Sequence, residues 1–436
     1  MFVYVGTLLH ATASNALEVL LGKALGVNNG KIIFIEDEKE LPALQQQYDI
    51  GHDQVHRLGE REFLIPGFVD THVHASQYAN AGTGLDLPLL EWLPRYTFPL
   101  EATFSDVTFA TAAYRKAVTR LLKNGTTSAC YFATIHTEGS LRLCDVIEEV
   151  GQRAFVGKVC MDQNAPDYYI ESSAQSLADT ETFVQNVLSR KNALVQPVVT
   201  PRFAVSTTFN LMTRLAEVAD KHNILVQSHL SETRGECKLI GDMYPDAEHY
   251  TDVYKRAGLL SGKTVMAHCN YLSDGEVAII KTTNTGVAHC PNSNISVQSG
   301  LCDVRRLLDN GIKVGLGTDV SGGYNPSMLD AIRYAVQTSN ILSVNKDDSY
   351  TKLDYREAFR LATLGGSQVL GIEDRVGNFV IGKEFDALRV NPCVSNSPFD
   401  IFDKDTTEDT FQKFIYLGDD RNVTEVFVAG KRVLPK

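Results

Sequence analysis

Between residues 67 and 320, short apolar runs rich in β-branched residues alternate with stretches in which apolar positions recur every third or fourth residue. The first pattern predicts buried strands and the second amphipathic helices. Eight strands are predicted, at 67–74, 126–133, 155–161, 194–202, 225–229, 264–268, 286–289 and 313–319. All but the first gap between them suit one helix and two loops, and the first holds about one extra loop. Helices are predicted over 107–122 and 211–222, the second opened by Thr207 and Thr208 as caps. Strands apolar on both faces and separated by helices predict an α/β fold, a closed parallel (β/α)8 barrel of the TIM type. An open doubly wound sheet would use fewer strands and a glycine-rich phosphate turn after the first, and that turn is absent from the sequence.

The flanks read differently. Residues 1–66 hold strand-like runs at 2–9 and 31–36 joined by polar turns, and a helical stretch at 355–370 is followed by short strand-like runs at 386–390, 425–428 and 432–434. The two ends are expected to pair into one small β-sandwich domain, from 1–66 and 377–436, beside a barrel spanning 67–376.

Composition narrows the class of function. Apolar residues make up 44% of the 436 and charged residues 22%, which suits a packed globular protein. The 41 basic and 53 acidic side chains leave a net charge of −12, so no general attraction to nucleic acid or anionic membrane is expected. The apolar opening is broken by His10, Asn15 and Glu18 with no positive segment before it, which argues against a signal peptide or a membrane span. The eight cysteines show no CxxC spacing and several lie in strand-like runs. They read as reduced thiols in a cytoplasmic protein, not as disulfides or thiolate metal ligands.

Candidate chemistry gathers at strand ends. His72 and His74 close the first predicted strand two residues apart, so both imidazoles point to one side. Alone, such a pair reads equally as two satisfied buried histidines. Three more predicted strands finish on a metal-competent side chain, His229, His268 and Asp319. In a (β/α)8 barrel the strand C-termini open on one face, where active sites are built, so these five groups converge there. Imidazoles and a carboxylate without thiolate suit Zn2+ above Fe2+ or Mn2+. Three histidines and one aspartate leave a position for a water whose pKa falls to about 7. Glu232 follows His229 by three residues, where it can move protons between water, substrate and leaving group, help worth roughly 10²–10⁴-fold. Its alternative is a solvated loop carboxylate or a helix N-terminal charge.

The run PGFVDTHVH at 66–74 matches the opening signature of the amidohydrolase superfamily. SHLSE at 228–232, MAHCNYL at 266–272, AHCPNSN at 288–294 and GLGTDV at 315–320 resemble its purine and pyrimidine aminohydrolases, and the likeness spans nearly the whole chain. The resemblance implies one zinc ion per chain held by His72, His74, His229 and Asp319. His268 would sit beside it, orienting or polarising the attacking water, or be counted as a further ligand. Binuclear branches carry a carboxylated lysine on the fourth strand, where this chain has Arg202, while Lys158 lies one strand earlier, so a single ion is expected. HASQY at 74–78, LDLPLLEWL at 85–93, NGTTSACYFATIH at 124–136, VTPRF at 199–203 and GTDVSGGY at 317–324 narrow the likeness to aminohydrolases of a purine base.

The implied reaction replaces an exocyclic amine with oxygen and releases ammonia, with Glu232, His268 and Asp319 catalytic. The implied binding set is His74, Gln77, Arg202, Phe203, His229, Glu232 and Asp319. Arg202 can donate to a carbonyl or ring nitrogen, Gln77 offers both a donor and an acceptor, and Phe203 can stack on the ring. Apart from the resemblance, Arg202 reads as well as a structural salt bridge and Phe203 as a core aromatic. A homodimer is the usual assembly for the resemblance. Two rivals remain, a deaminase of another amino-substituted heterocycle and a non-catalytic amidohydrolase-like scaffold; the intact set of ligand-type residues argues against the second.

Other features carry less. Residues 377–383 mimic a Walker A loop, but Glu384 replaces the hydroxyl residue. His289 is left out of the metal set, its neighbours in AHCPNSN being expected to tie the loop and wall the pocket, and His136 is read as a loop residue. Trp92 reads equally as part of a lid and as a loop anchor.

Overall fold

The computed structural model describes residues 1–346 and 349–435. The barrel strands, in chain order, are Phe68–His74, Thr126–Phe132, Arg153–Gly157, Val195–Pro201, Leu225–Leu230, Thr264–His268, Gly286–His289 and Val314–Leu316. Each pairs in parallel with its neighbours in that order. Every residue of the first strand is buried, as a strand covered on both faces requires. The ring closes where its ends meet. The Asp319 N–H donates to the His72 carbonyl at 2.9 Å and the His74 N–H to the Val320 carbonyl at 3.0 Å.

Local departures from the predicted pattern have local causes. The third strand breaks after Gly157 and resumes as Val159–Cys160, and the intervening Lys158 ammonium pairs with the Glu171 carboxylate, both oxygens at 2.8 Å. The helix Val107–Lys123 is capped by Asp106 and the helix Phe209–His222 by Thr208 alone. The Thr207 hydroxyl instead donates to the Cys160 carbonyl at 3.0 Å. The stretch read as one helix at 355–370 runs as Tyr355–Arg360, a wider turn Leu361–Gly365, and Gly366–Val369.

Both chain ends enter one mixed sheet. Its order is Lys431–Pro435, Val423–Val428, Ala387–Val390, Phe63–Pro66, Phe2–His10, Glu18–Asn28 and Lys31–Asp37, with Val55–Arg57 also paired to Phe2–His10. Alternation along Phe2–His10 sends Tyr4 and Leu8 into one apolar cluster and Val3 and Val5 into another. Three strands of this region, Glu18–Asn28, Val55–Arg57 and Phe63–Pro66, and two α-helices, Leu41–Tyr48 and Thr407–Leu417, escape the sequence pattern. Glycines hide the first of these strands. At Gly26 the Phe34 ring lies 2.4 Å from where a Cβ would stand, so the close approach of that ring excludes any side chain. Among the described residues no helix is long and apolar enough to cross a membrane.

Candidate active site

The strand C-termini deliver their side chains to one buried point. His72 Nε2 lies 3.1 Å and His74 Nε2 3.4 Å from Asp319 Oδ1. The Nε2 atoms of His74 and His229 face one another at 3.2 Å. Donor atoms of His72, His74 and Asp319 all lie within 4.8 Å of one another, as do those of His72, His229 and His268. The five groups predicted at four strand ends are thus brought together.

Several features show that this cluster suits a cation. His229 Nδ1 lies 2.6 Å from the Arg202 carbonyl, an acceptor only, so the proton sits on Nδ1 and Nε2 presents a lone pair. That lone pair faces His74 Nε2, while the buried His72 Nε2 makes no well-formed hydrogen bond. Burial holds His72, His74 and His229 below the ordinary histidine value, so the imidazoles are neutral and free to ligate. Burial would raise the Asp319 carboxyl, but the facing imidazoles of His72, His268 and His74 keep it well below the usual carboxylate range. Neutral nitrogens around an ionised carboxylate are what a divalent metal needs.

His268 behaves differently. Burial lowers its pKa, yet the charges of Glu232 and Asp319 and a bond to Asn294 keep it above the ordinary histidine value. Its Nδ1 lies 2.8 Å from Asn294 Oδ1, and Asn294 Nδ2 donates to Asn270 Oδ1 at 2.9 Å, which settles the orientation of that amide. Its Nε2 lies 3.6 Å from Glu232 Oε2 and 3.7 Å from Asp319 Oδ2. Glu232 begins the turn after the fifth barrel strand, where its N–H donates to Glu236 Oε2 at 2.8 Å. The Ser299 hydroxyl donates to Glu232 Oε1 at 2.7 Å, and burial pushes the carboxyl up to about 7. A group poised near neutrality can both give and take a proton.

A pocket opens beside this cluster, lined by His74, Gln77, Leu89, Trp92, Leu93, Arg202, Phe203, His229, Glu232, His268, Ser293, Asp319 and Gly322. Every residue of the sequence-derived site except His72 touches it. Trp92 is both lining and anchor, its indole N–H reaching the Thr83 carbonyl at 3.4 Å. Arg202 and Gln77 meet on Glu101, a fully buried carboxylate on the helix Phe98–Ala102. Arg202 donates to Glu101 through NH1 at 2.6 Å and NH2 at 3.3 Å, and Gln77 Nε2 donates to it at 2.9 Å.

Sequence reasoning missed Glu101, Ser299 and Asp70. Asp70 is fully buried and takes the Thr318 hydroxyl, the Thr318 N–H at 3.0 Å and the His72 N–H at 3.2 Å, tying the first barrel strand to the last. Burial raises its carboxyl to about 7. The available signal for Glu101 is a single carboxylate inside the apolar run FPLEATF. Lys158 is occupied by Glu171 and stands apart from the cluster. His289 ends the seventh strand fully buried, with neither ring nitrogen hydrogen-bonded. Its neighbour Asn292 bonds Asp330, and Ser293 lines the pocket.

A divalent-metal hydrolase is the class this barrel and cluster define. The profile of the Amidohydrolase family matches residues 63–433, and the chain belongs to that family. A guanine deaminase of Pongo abelii is 50% identical over 440 residues, covering 99% of this chain and 96% of its own. The guanine deaminase of Homo sapiens is 49% identical over the same shares. A crystal structure of guanine deaminase from C. acetobutylicum, with guanine bound in its active site, superposes with a TM-score of 0.93. It is 36% identical over 99% of this chain and 100% of that one.

Proposed function

We propose that this protein hydrolyses guanine to xanthine and ammonia with one zinc ion, held by His72, His74, His229 and Asp319. The observation that carries the reading is the adjacency of two devices in one pocket, a carboxylate-and-imidazole metal cluster and the donor pair Arg202 and Gln77. When bound, the ion supplies a water ionised near neutral pH and a positive charge beside the reacting carbon.

The chain's own groups supply the rest. Phe203 packs against the purine face while Arg202 and Gln77 donate to its oxo edge, leaving the C2 amine toward Glu232. Glu232, with its pKa near 7, protonates a ring nitrogen as a C–O bond forms at C2. Asp319 takes the proton of the attacking water, and His268 stabilises charge on the new oxygen. Asp319 returns that proton to the amine as the C2–N bond breaks and ammonia leaves. The second proton of the water passes from the new oxygen to Glu232 as the C2 carbonyl forms. The enzyme is further read as a cytoplasmic homodimer, with 1–66 and 377–436 forming one small domain beside the barrel 67–376.

The test is conversion of guanine to xanthine, followed by absorbance and ammonia release, with and without a chelator. Zinc-loaded protein that releases no ammonia from guanine, but does so from adenine or a triazine, would overturn the substrate.

A further inference from the structure

Arg202 and Gln77 are not free side chains waiting for a ligand. The Arg202 guanidinium lies between the Glu101 carboxylate and the Phe98 ring, whose centroid is 5.2 Å from the guanidinium carbon. A guanidinium carries five N–H donors and no acceptor, so fastening it by two of them leaves the others with fixed directions. Gln77 poses a different problem, because its amide can present either a donor or an acceptor after a half-turn. Glu101 only accepts, and it takes Nε2 at 2.9 Å, while the Ser321 N–H reaches Oε1 at 3.3 Å. The half-turn is thereby forbidden.

We propose that Glu101 is a positioning residue that fixes the hydrogen-bond polarity of the base-reading wall, and so selects a purine carrying an oxo group over one carrying an amino group at the same edge. This inference rests on the guanine reading and deepens it. An amino edge would aim its own hydrogens at the Arg202 donors, and a buried donor without an acceptor is what a polar site rejects most strongly. Glu101 itself belongs neither to the pocket lining nor to the metal-competent cluster. It acts through the two side chains it holds.

The test compares kcat/KM for guanine and for 2,6-diaminopurine in the wild type and in Glu101→Gln, with metal content measured for each. A glutamine donates as well as accepts, so it releases the Gln77 amide and loosens Arg202. The expected result is a fall on the order of 10²-fold for guanine, mainly through KM, with a smaller loss for 2,6-diaminopurine. The preference ratio then narrows at least tenfold at unchanged metal content. A folded Glu101→Gln protein whose ratio stays within fivefold of wild type overturns the proposal, even where both activities drop together. If that variant does not fold, Glu101→Asp keeps the charge but withdraws the carboxylate by one methylene, and the same fivefold limit applies to it. Wild-type protein inactive on guanine would instead defeat the guanine reading itself, whereas wild-type activity with an unaltered ratio defeats only the role given to Glu101.

Discussion

His229 donates its Nδ1 proton to the main-chain carbonyl of Arg202 at 2.6 Å, so one residue serves the pocket twice. Its backbone carbonyl sets the tautomer of an imidazole in the cluster, and its side chain lines the pocket. The two duties are separable, because a substitution removes only the second.

Arg202→Ala should therefore retain metal while losing guanine use. It should also lower stability, since Glu101 would remain wholly buried with its cation gone. Breaking a buried pair costs about 3–5 kcal/mol. Adding Glu101→Gln to that variant should restore most of the melting temperature and none of the guanine activity. Metal loss in Arg202→Ala, measured by elemental analysis, would make Arg202 structural.

Glu232→Gln keeps the shape and the acceptor for the Ser299 hydroxyl but has no proton to exchange. The expected effect is a kcat lower by roughly 10²–10⁴-fold with metal content and guanine affinity preserved. Steady-state kinetics within threefold of wild type would refute the proton role.

Removal of the ion should abolish turnover and loosen the fold. Without it the neutral imidazoles of His72, His74 and His229 and the ionised Asp319 would have no cation to bridge them. Mass action gives about 2.7 kcal/mol of stabilisation at a hundredfold excess over Kd. A chelated sample should melt several degrees lower and recover both activity and melting point on addition of zinc but not magnesium. Equal melting curves before and after chelation would contradict a metal site in the core.

His289 predicts the response to acid. Burial depresses its pKa to about 3, against about 6.5 for a solvent-exposed imidazole. A histidine lowered in the fold stabilises it above the unfolded value, and that stability drains as pH falls from 6.5 toward 3. At pH 5 the loss is about 2 kcal/mol, from 1.36 kcal/mol per pH unit. His289→Leu, which has nothing to protonate, should show a smaller drop in urea midpoint between pH 7 and pH 5 than wild type. An identical drop in both proteins would assign the acid sensitivity elsewhere.

Much of this was legible in the sequence because barrel strands are repetitive and buried on both faces. Runs such as GFVDTHVH and KVGLGTD announce a strand and its terminal chemistry together. The small sheet was less legible: Glu18–Asn28 includes two glycines and a solvent-facing stretch, and Thr407–Leu417 buries only one stripe, Thr410, Phe411, Phe414 and Ile415. Glu101 was unreadable for another reason. A buried carboxylate is explained only by the partners that reach it, and Gln77 and Arg202 lie 24 and 101 residues away along the chain.

The seam between the first and last barrel strands has a consequence for biosynthesis. His72 lies on the opening strand and Asp319 just past the closing one, and the two meet only when the ring shuts. A nascent polypeptide still tethered to the ribosome before its eighth strand emerges would hold three imidazoles but lack the carboxylate that completes the set. Loading of a metal at this cluster would accordingly be an event of the late or finished chain, and truncated fragments should be unable to retain it.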